Sequence, residues 1–165
     1  AIPFTRLVTT PIHPGIQIGT EFTYKEREHF RLFQTVNLSY YFHAQLNHGI
    51  SVNTELGGEY LTNSRFSFGA LIGVGYLHTF ATTKEYVFED GHYTIATDKG
   101  NARIAPSLSL DVNYRINKIE PTSPKIFVRY QSWIEYPYSP GFIPLMSHIN
   151  LHIGAKFNLP LNTGK

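Results

Sequence analysis

The chain has 165 residues, is 15% aromatic and only 16% charged, and carries a formal net charge of +2. Charged residues fall well below the ~25% of an ordinary soluble domain, and so mild a charge, with no Lys/Arg run, excludes a nucleic-acid partner. Cysteine is absent, which excludes disulfides and thiolate metal sites and suits a chain that crosses an oxidising periplasm unfolded.

No helical period runs along the chain, and the longest mostly apolar run, Phe68 to Leu77, is half of the ~20 residues a spanning helix needs. Apolar and polar residues instead alternate one by one in long segments, the pattern of β-strands with two unlike faces. These segments predict strands near 3–10, 15–25, 30–43, 49–61, 65–80, 102–116, 126–136 and 147–159.

Residues 3–10 are crowded by Pro3, Pro11 and Pro14. Their assignment rests on parity: an even strand count puts both termini in the periplasm, as single-chain bacterial barrels require. In 30–43, Val36, Leu38, Tyr40 and Phe42 face one way and Asn37, Ser39, Tyr41 and His43 the other. In 49–61, Ile50, Val52, Leu56 and Tyr60 oppose Ser51, Asn53, Glu55 and Glu59. The strand 65–80 puts Ser67, Gly69, Leu71, Gly73 and Gly75 on its polar side. A three-residue turn at Thr62-Asn63-Ser64 would set Gly57 opposite Gly69, Asn53 opposite Gly73 and Ser51 opposite Gly75, a wall of small residues.

The connection 81–101 is the longest, and Asp90-Gly91 between alternating aromatics signals a hairpin within it. The strand 102–116 is the clearest: Ile104, Leu108, Leu110, Val112, Tyr114 and Ile116 oppose Arg103, Ser107, Ser109, Asp111, Asn113 and Arg115. Phe127, Arg129, Trp133 and Glu135 share the polar side of 126–136. The connection 137–146 is apolar and holds three prolines. In 147–159, His148, Asn150, His152 and Lys156 alternate with Ile149, Leu151, Ile153 and Phe157.

The expected fold is therefore all-β: a closed, antiparallel, up-and-down transmembrane β-barrel of about eight strands, with lipid outside and a polar lumen inside. One domain spans 1–165, with 81–101 as a long extracellular loop or ribbon and 160–165 as a periplasmic tail. Two girdles fit this reading. Phe22, Tyr24, Phe30, Tyr60, Phe66, Phe68, Tyr114 and Phe157 fall at one end of the strands, and Tyr40, Phe42, Tyr76, Phe80 and Tyr136 at the other. A soluble lipocalin-like barrel is the competing reading.

The last strand carries His152, Gly154, Phe157 and Leu159, which resembles the β-signal of outer-membrane barrel proteins: a polar residue, a glycine two later, then two apolar residues in alternation. The tail Pro160 to Lys165 departs from that pattern. As a whole the chain resembles the small barrels of the OmpA-transmembrane, OmpX, OmpW and lipid A deacylase type, and its pattern is similar to that of Bacteroidota barrels. The resemblance implies a Gram-negative outer membrane, contact with its lipid and lipopolysaccharide, and the barrel-assembly machinery as a partner during biogenesis. It implies no function, because these families differ in function.

An eight-stranded barrel is just wide enough for side chains, which argues against a diffusion pore. Inward Glu21, Glu55, Glu59, Asp111, Arg103, Arg115, Arg129, Glu135 and Lys156 are expected to form a salt-bridged plug, since buried charges must be paired. Phe33, Tyr41, Phe127 and Trp133 are expected to fill the rest.

No cofactor is expected. His43, His48, His78 and His148 at the loop ends match no known metal spacing, and no metal site is assigned. Ser147, His148 and His152 are the candidate catalytic residues of an ester-cleaving reading, in which His is the base and Ser the nucleophile. Ser147 and His148 should face opposite ways, however, and no orienting acid is near them in sequence.

The favoured function is non-enzymatic: a structural or interaction role at the cell surface, as an accessory subunit of a larger outer-membrane complex. Its contact loops would use Tyr86, Phe88, Tyr93, Ile95, Phe142, Ile143 and Leu145. The alternative is a lipid-modifying or lipid-binding barrel, of deacylase or acyltransferase type, with a lumen cavity along the small-residue wall.

Overall fold

The computed structural model describes residues 14–43, 47–82, 86–89, 91–95, 99–117, 123–138, 141 and 143–158. The alternating segments form strands β1 (Gly15–Glu26), β2 (Phe30–Phe42), β3 (Asn47–Leu61), β4 (Phe66–Ala81), β5 (Tyr86–Glu89), β6 (His92–Ile95), β7 (Asn101–Arg115), β8 (Lys125–Glu135) and β9 (Met146–Lys156). Seven of them make one antiparallel sheet in the order β1-β2-β3-β4-β7-β8-β9, and β5 pairs only with β6. The anticipated strand 3–10 lies outside the described residues.

Connections alternate between two ends of the sheet. Residues 27–29, 62–65 and 116–124 join strands at the turn end, and 43–46, 82–100 and 136–145 at the loop end. The long strands β3, β4 and β7 stay in register over their whole length, from Asn47↔Ala81 to Leu61↔Ser67 and from Phe66↔Tyr114 to Thr79↔Asn101. The β5–β6 hairpin is a separate ribbon, with Gly91 at φ +80° supplying the left-handed turn that other residues adopt at a cost.

The β3–β4 register corrects the sequence reading by two residues. Gly57 lies opposite Leu71, Glu59 opposite Gly69, Glu55 opposite Gly73 and Asn53 opposite Gly75. The turn is longer than three residues because two hydroxyls brace a wider loop. Ser64 N donates to Thr62 Oγ1 at 3.2 Å, and Phe66 N donates to Ser64 Oγ at 3.2 Å. No continuous wall of small residues forms, since Glu59 and Glu55 stand opposite Gly69 and Gly73, where Gly57 and Asn53 were expected.

Burial is inverted relative to a soluble domain. The buried side chains include Arg31, Glu55, Glu59, Asp111, Asn113, Arg129 and Glu135, while Ile72, Val74, Leu108, Leu110, Leu151 and Ile153 are exposed. Only Phe33, Leu71 and Leu77 are buried among the large apolar residues described. Exposed aromatics collect at both ends of this apolar face, as in the pair Phe30↔Tyr60 at the turn end and the neighbours Tyr40 and Phe42 at the loop end.

The sheet curls so that its polar face is turned inward. Arg129 on β8 reaches Glu55 on β3 at 2.6 Å, and Lys156 on β9 reaches Glu21 on β1 at 3.2 Å. Both edge strands, β1 and β9, run from the loop end to the turn end.

Candidate functional site: the lumen and its loop-end cup

The turn-end half of the lumen, the space inside the curled sheet, is a network of paired charges. Glu59 accepts from Arg31 Nε at 2.7 Å, from Asn113 Nδ2 at 3.1 Å, and from Ser67 Oγ; Lys125 Nζ lies at 3.4 Å. Glu55 accepts from Arg129 Nη1 at 2.6 Å, Ser109 Oγ at 2.7 Å and Gln131 Nε2 at 3.0 Å. Arg129 also grips Asp111 with two nitrogens, at 2.6 and 2.9 Å, the fork geometry that makes arginine suited to a carboxylate. Glu21 completes the set, between Arg31 at 2.5 Å and Lys156 at 3.2 Å. The acids Glu21, Glu55, Glu59 and Asp111 are matched by Arg31, Lys125, Arg129 and Lys156, so the network is neutral. Neutrality matters because an unpaired buried charge costs several kcal/mol.

Arg31 and Lys125 were absent from the sequence reading. Alternation could have found both, since Arg31 stands two residues before Phe33 and Lys125 two before Phe127. Arg115, which was expected among the plug residues, is half-buried at the rim opposite Lys125.

Glycines on the lumen side act as sockets for large side chains. A Cβ at Gly57 would come within 2.6 Å of the Phe33 ring, and one at Gly154 within 2.8 Å of the Phe127 ring. A Cβ at Gly73 would meet Glu55 Cγ at 2.5 Å. Between the two rings sits the Lys156 ammonium, 5.5 Å from the centre of Phe33 and 5.1 Å from that of Phe127. The space that the sequence reading offered to an acyl chain is thus occupied in this half.

The loop-end half is open. A cavity of about 560 Å³ lies there, bounded by lumen-facing side chains of β1, β2, β3, β4, β7, β8 and β9 and, along the β1 and β9 edges, by outward Ile16, Ile149 and Leu151. Its charged pair is self-contained: fully buried Glu135 accepts from Arg103 Nη1 with one oxygen and contacts His148 Nε2 at 2.8 Å with the other. Trp133 stacks on His148, with ring centres 4.1 Å apart and planes 14° from parallel. Arg103 caps the Tyr138 ring at 5.2 Å. Deeper in the cup, His152 Nε2 contacts Gln131 Oε1 at 3.1 Å.

The three candidate catalytic residues all border this cavity. His148 and His152 share the lumen side, whereas Ser147, opposite Ile134, stands on the outward register and is exposed. The missing acid is present: the β8–β9 register places Glu135 beside His148, although 13 positions separate them. That proximity is invisible locally, because it depends on the length of the 136–145 connection.

The other histidines are divided. His48 and His78 face outward and flank Phe80 at 5.4 and 4.8 Å, away from lumen-facing His148. Among the described residues no group of three or more His, Asp or Glu side chains could hold a metal.

Of the assembly-signal residues, His152 and Gly154 face the lumen, Phe157 is exposed, and Leu159 lies outside the described residues. Of the contact-loop residues, Phe88, Tyr93 and Ile95 are exposed on the ribbon, where Tyr86 is paired with Ile95 and the Phe88 and Tyr93 rings are 5.1 Å apart. Ile143 and Leu145 are exposed near β9, and Phe142 lies outside the described residues.

No family model, curated protein or solved structure matches the chain.

Proposed function

We propose that the chain is an integral β-barrel of a Gram-negative outer membrane, acting as a structural or interaction component at the cell surface and as an accessory subunit of a larger outer-membrane complex. The observation that carries this reading is the inverted burial: charges inside, a continuous apolar face outside, and aromatics at both ends of that face. Water would penalise such a face by about 25 cal/mol per Å², whereas hydrocarbon would not.

Closure follows from direction. β1 and β9 run the same way, so an up-and-down barrel needs one more strand between them, antiparallel to both. Residues 3–10 are the candidate, giving eight strands and two periplasmic termini. Contacts of Lys156 with both Glu21 and Asp111 support a sheet curled far enough to close. The neutral plug supports a non-conducting barrel, which moves function to the loop end. There the ribbon and the 137–146 connection would meet a partner, and lipopolysaccharide would surround the rim.

Co-purification from native membranes in mild detergent tests the reading. The chain should be in the outer-membrane fraction, should run faster on a denaturing gel unheated than boiled, and should bring a stoichiometric partner. Recovery in the soluble fraction would sink the barrel; recovery from membranes alone, at monomer size, would sink the accessory role.

A second reading, the lipid-modifying or lipid-binding barrel, is favoured by one observation, the Glu135–His148 pair at the cavity. Mass spectrometry of lipid A with and without expression tests it, and identical spectra would remove the modifying activity.

A further inference from the structure

We infer that the outer wall of β1, β2 and β3 is the contact face of a dimer, meeting a second copy of this chain around Gln34 inside the membrane. The inference rests on the barrel reading, which puts that wall in hydrocarbon, and goes beyond it in naming a partner and the residue that selects it.

Depth comes first. Gln34 is the one amide among the outward strand residues described, opposite outward Phe22 and Leu56. It stands four residues from Phe30 at the turn end of β2, which is about 10 Å into the apolar band at the rise of a tilted strand. That band is about 25 Å tall, so the amide lies near its middle rather than among headgroups. Leu56, Ile72 and Leu108 share its row across the sheet.

Neighbours within the chain use half of what this amide offers. Tyr24 Oη donates to Gln34 Oε1, and Gln34 Nε2 donates to Thr54 Oγ1 at 2.7 Å. Thr54 Oγ1 in turn donates to the Thr35 carbonyl oxygen at 2.9 Å, so the threonine is satisfied. An amide side chain has two N–H donors and two acceptor lone pairs. Gln34 therefore keeps one N–H and one lone pair. Acyl chains can fill neither, and a polar group left unpaired in hydrocarbon is costly.

A second Gln34 fills both. One donor and one acceptor are a self-complementary set, so two amides exchange two hydrogen bonds across a two-fold axis. Copies inserted the same way round share an axis along the membrane normal, which leaves both Gln34 side chains at one depth. A different partner would need its own donor and acceptor at that depth, whereas a second copy has them by construction. The wall also allows close approach. Thr20, Val36, Thr54, Val74 and Pro106 follow one another across five strands as a row of short side chains. Of these, Val36, Thr54 and Val74 line a shallow apolar groove beside the amide.

Cysteine is absent, so one introduced cysteine is a unique cross-linking site. Leu56→Cys puts it beside Gln34, and Leu151→Cys puts it on β9, outside the inferred face; both leucines are exposed. Each full-length variant is folded into phosphatidylcholine vesicles at high lipid dilution, checked for its heat-dependent band shift and treated with a short bismaleimide. Leu56→Cys should give at least five times more dimer than Leu151→Cys. Adding Gln34→Leu or Gln34→Met should lower the Leu56→Cys yield at least fivefold with the band shift kept; should neither of these fold, the contrast between the two positions decides. A chain that shows no band shift before any Gln34 change sinks the barrel reading and this inference with it. In folded samples, equal yields from the two positions, or a yield unchanged by loss of the amide, overturn the inference alone. So does a Leu56→Cys cross-link in native membranes that joins only a chain of different mass, which would give the wall to another protein.

Discussion

Arg129 Nη1 donates to Glu55 Oε2 at 2.6 Å, although β4 and β7 lie between their strands in the sheet. Such a bond forms only if the polar face is folded inward, and it ties the middle of the plug together. Arg129→Met leaves Glu55 and Asp111 without their main counter-charge. The expected loss is about 3–5 kcal/mol, the usual cost of breaking a buried pair from one side. Urea unfolding in micelles measures it. A loss below about 1 kcal/mol, as at an exposed pair, would show that the network is solvated rather than buried.

The outward face distinguishes a membrane barrel from a soluble one. Leu108, opposite Ile72, lies midway along β7 and is exposed. In lipid, Leu108→Arg should cost about 2–4 kcal/mol, and Phe66→Arg, at the strand end, only about 0–1 kcal/mol. Folding into vesicles, followed by denaturant titration, gives both values. Equal and small costs would refute a hydrocarbon surrounding.

Gly73 has no room for a side chain, because an added Cβ would meet Glu55 Cγ at 2.5 Å and the Thr54 carbonyl oxygen at 2.6 Å. Gly73→Val is expected to prevent the folded band on an unheated gel. Gly58→Ala, whose Cβ would meet only the Phe30 ring at 3.2 Å, is expected to keep it. Folding of both variants to the same yield would contradict the socket geometry.

The ribbon carries Phe88 and Tyr93 as a paired exposed patch. If it is the contact surface, Phe88→Ser with Tyr93→Ser should abolish co-purification of the partner without lowering barrel stability. Stability is insulated because β5 and β6 pair only with each other. Undiminished co-purification would transfer the contact to Ile143 and Leu145 or remove it.

The seven expected strands that fall on described residues, and their two faces, were legible in the sequence, because a period of two survives in every long segment and each face meets a different environment. Val36, Leu38, Leu108 and Leu110 are outward, and Asn37, Glu55 and Asp111 inward, as their alternation requires. Strand ends agree within a few residues for the same reason: Asn101–Arg115 against an expected 102–116, and Lys125–Glu135 against 126–136. Alternation is a property of one strand and needs no neighbour.

Pairing is a property of two strands, and here the local reading failed. A turn wider than Thr62-Asn63-Ser64 moved the β3–β4 register by two, which kept every face and changed every partner. That shift put Glu55 over Gly73 and turned a supposed acyl groove into a charge socket. The same dependence hid Glu135 from His148 until the β8–β9 register joined them at 2.8 Å. By itself, then, the sequence determined an all-β chain of alternating strands with an apolar outside and a polar inside, because side-chain direction repeats every second residue. Only the tertiary structure decided that the lumen is a neutral plug below an open cup, because that depends on which strands lie opposite each other once the sheet has curled.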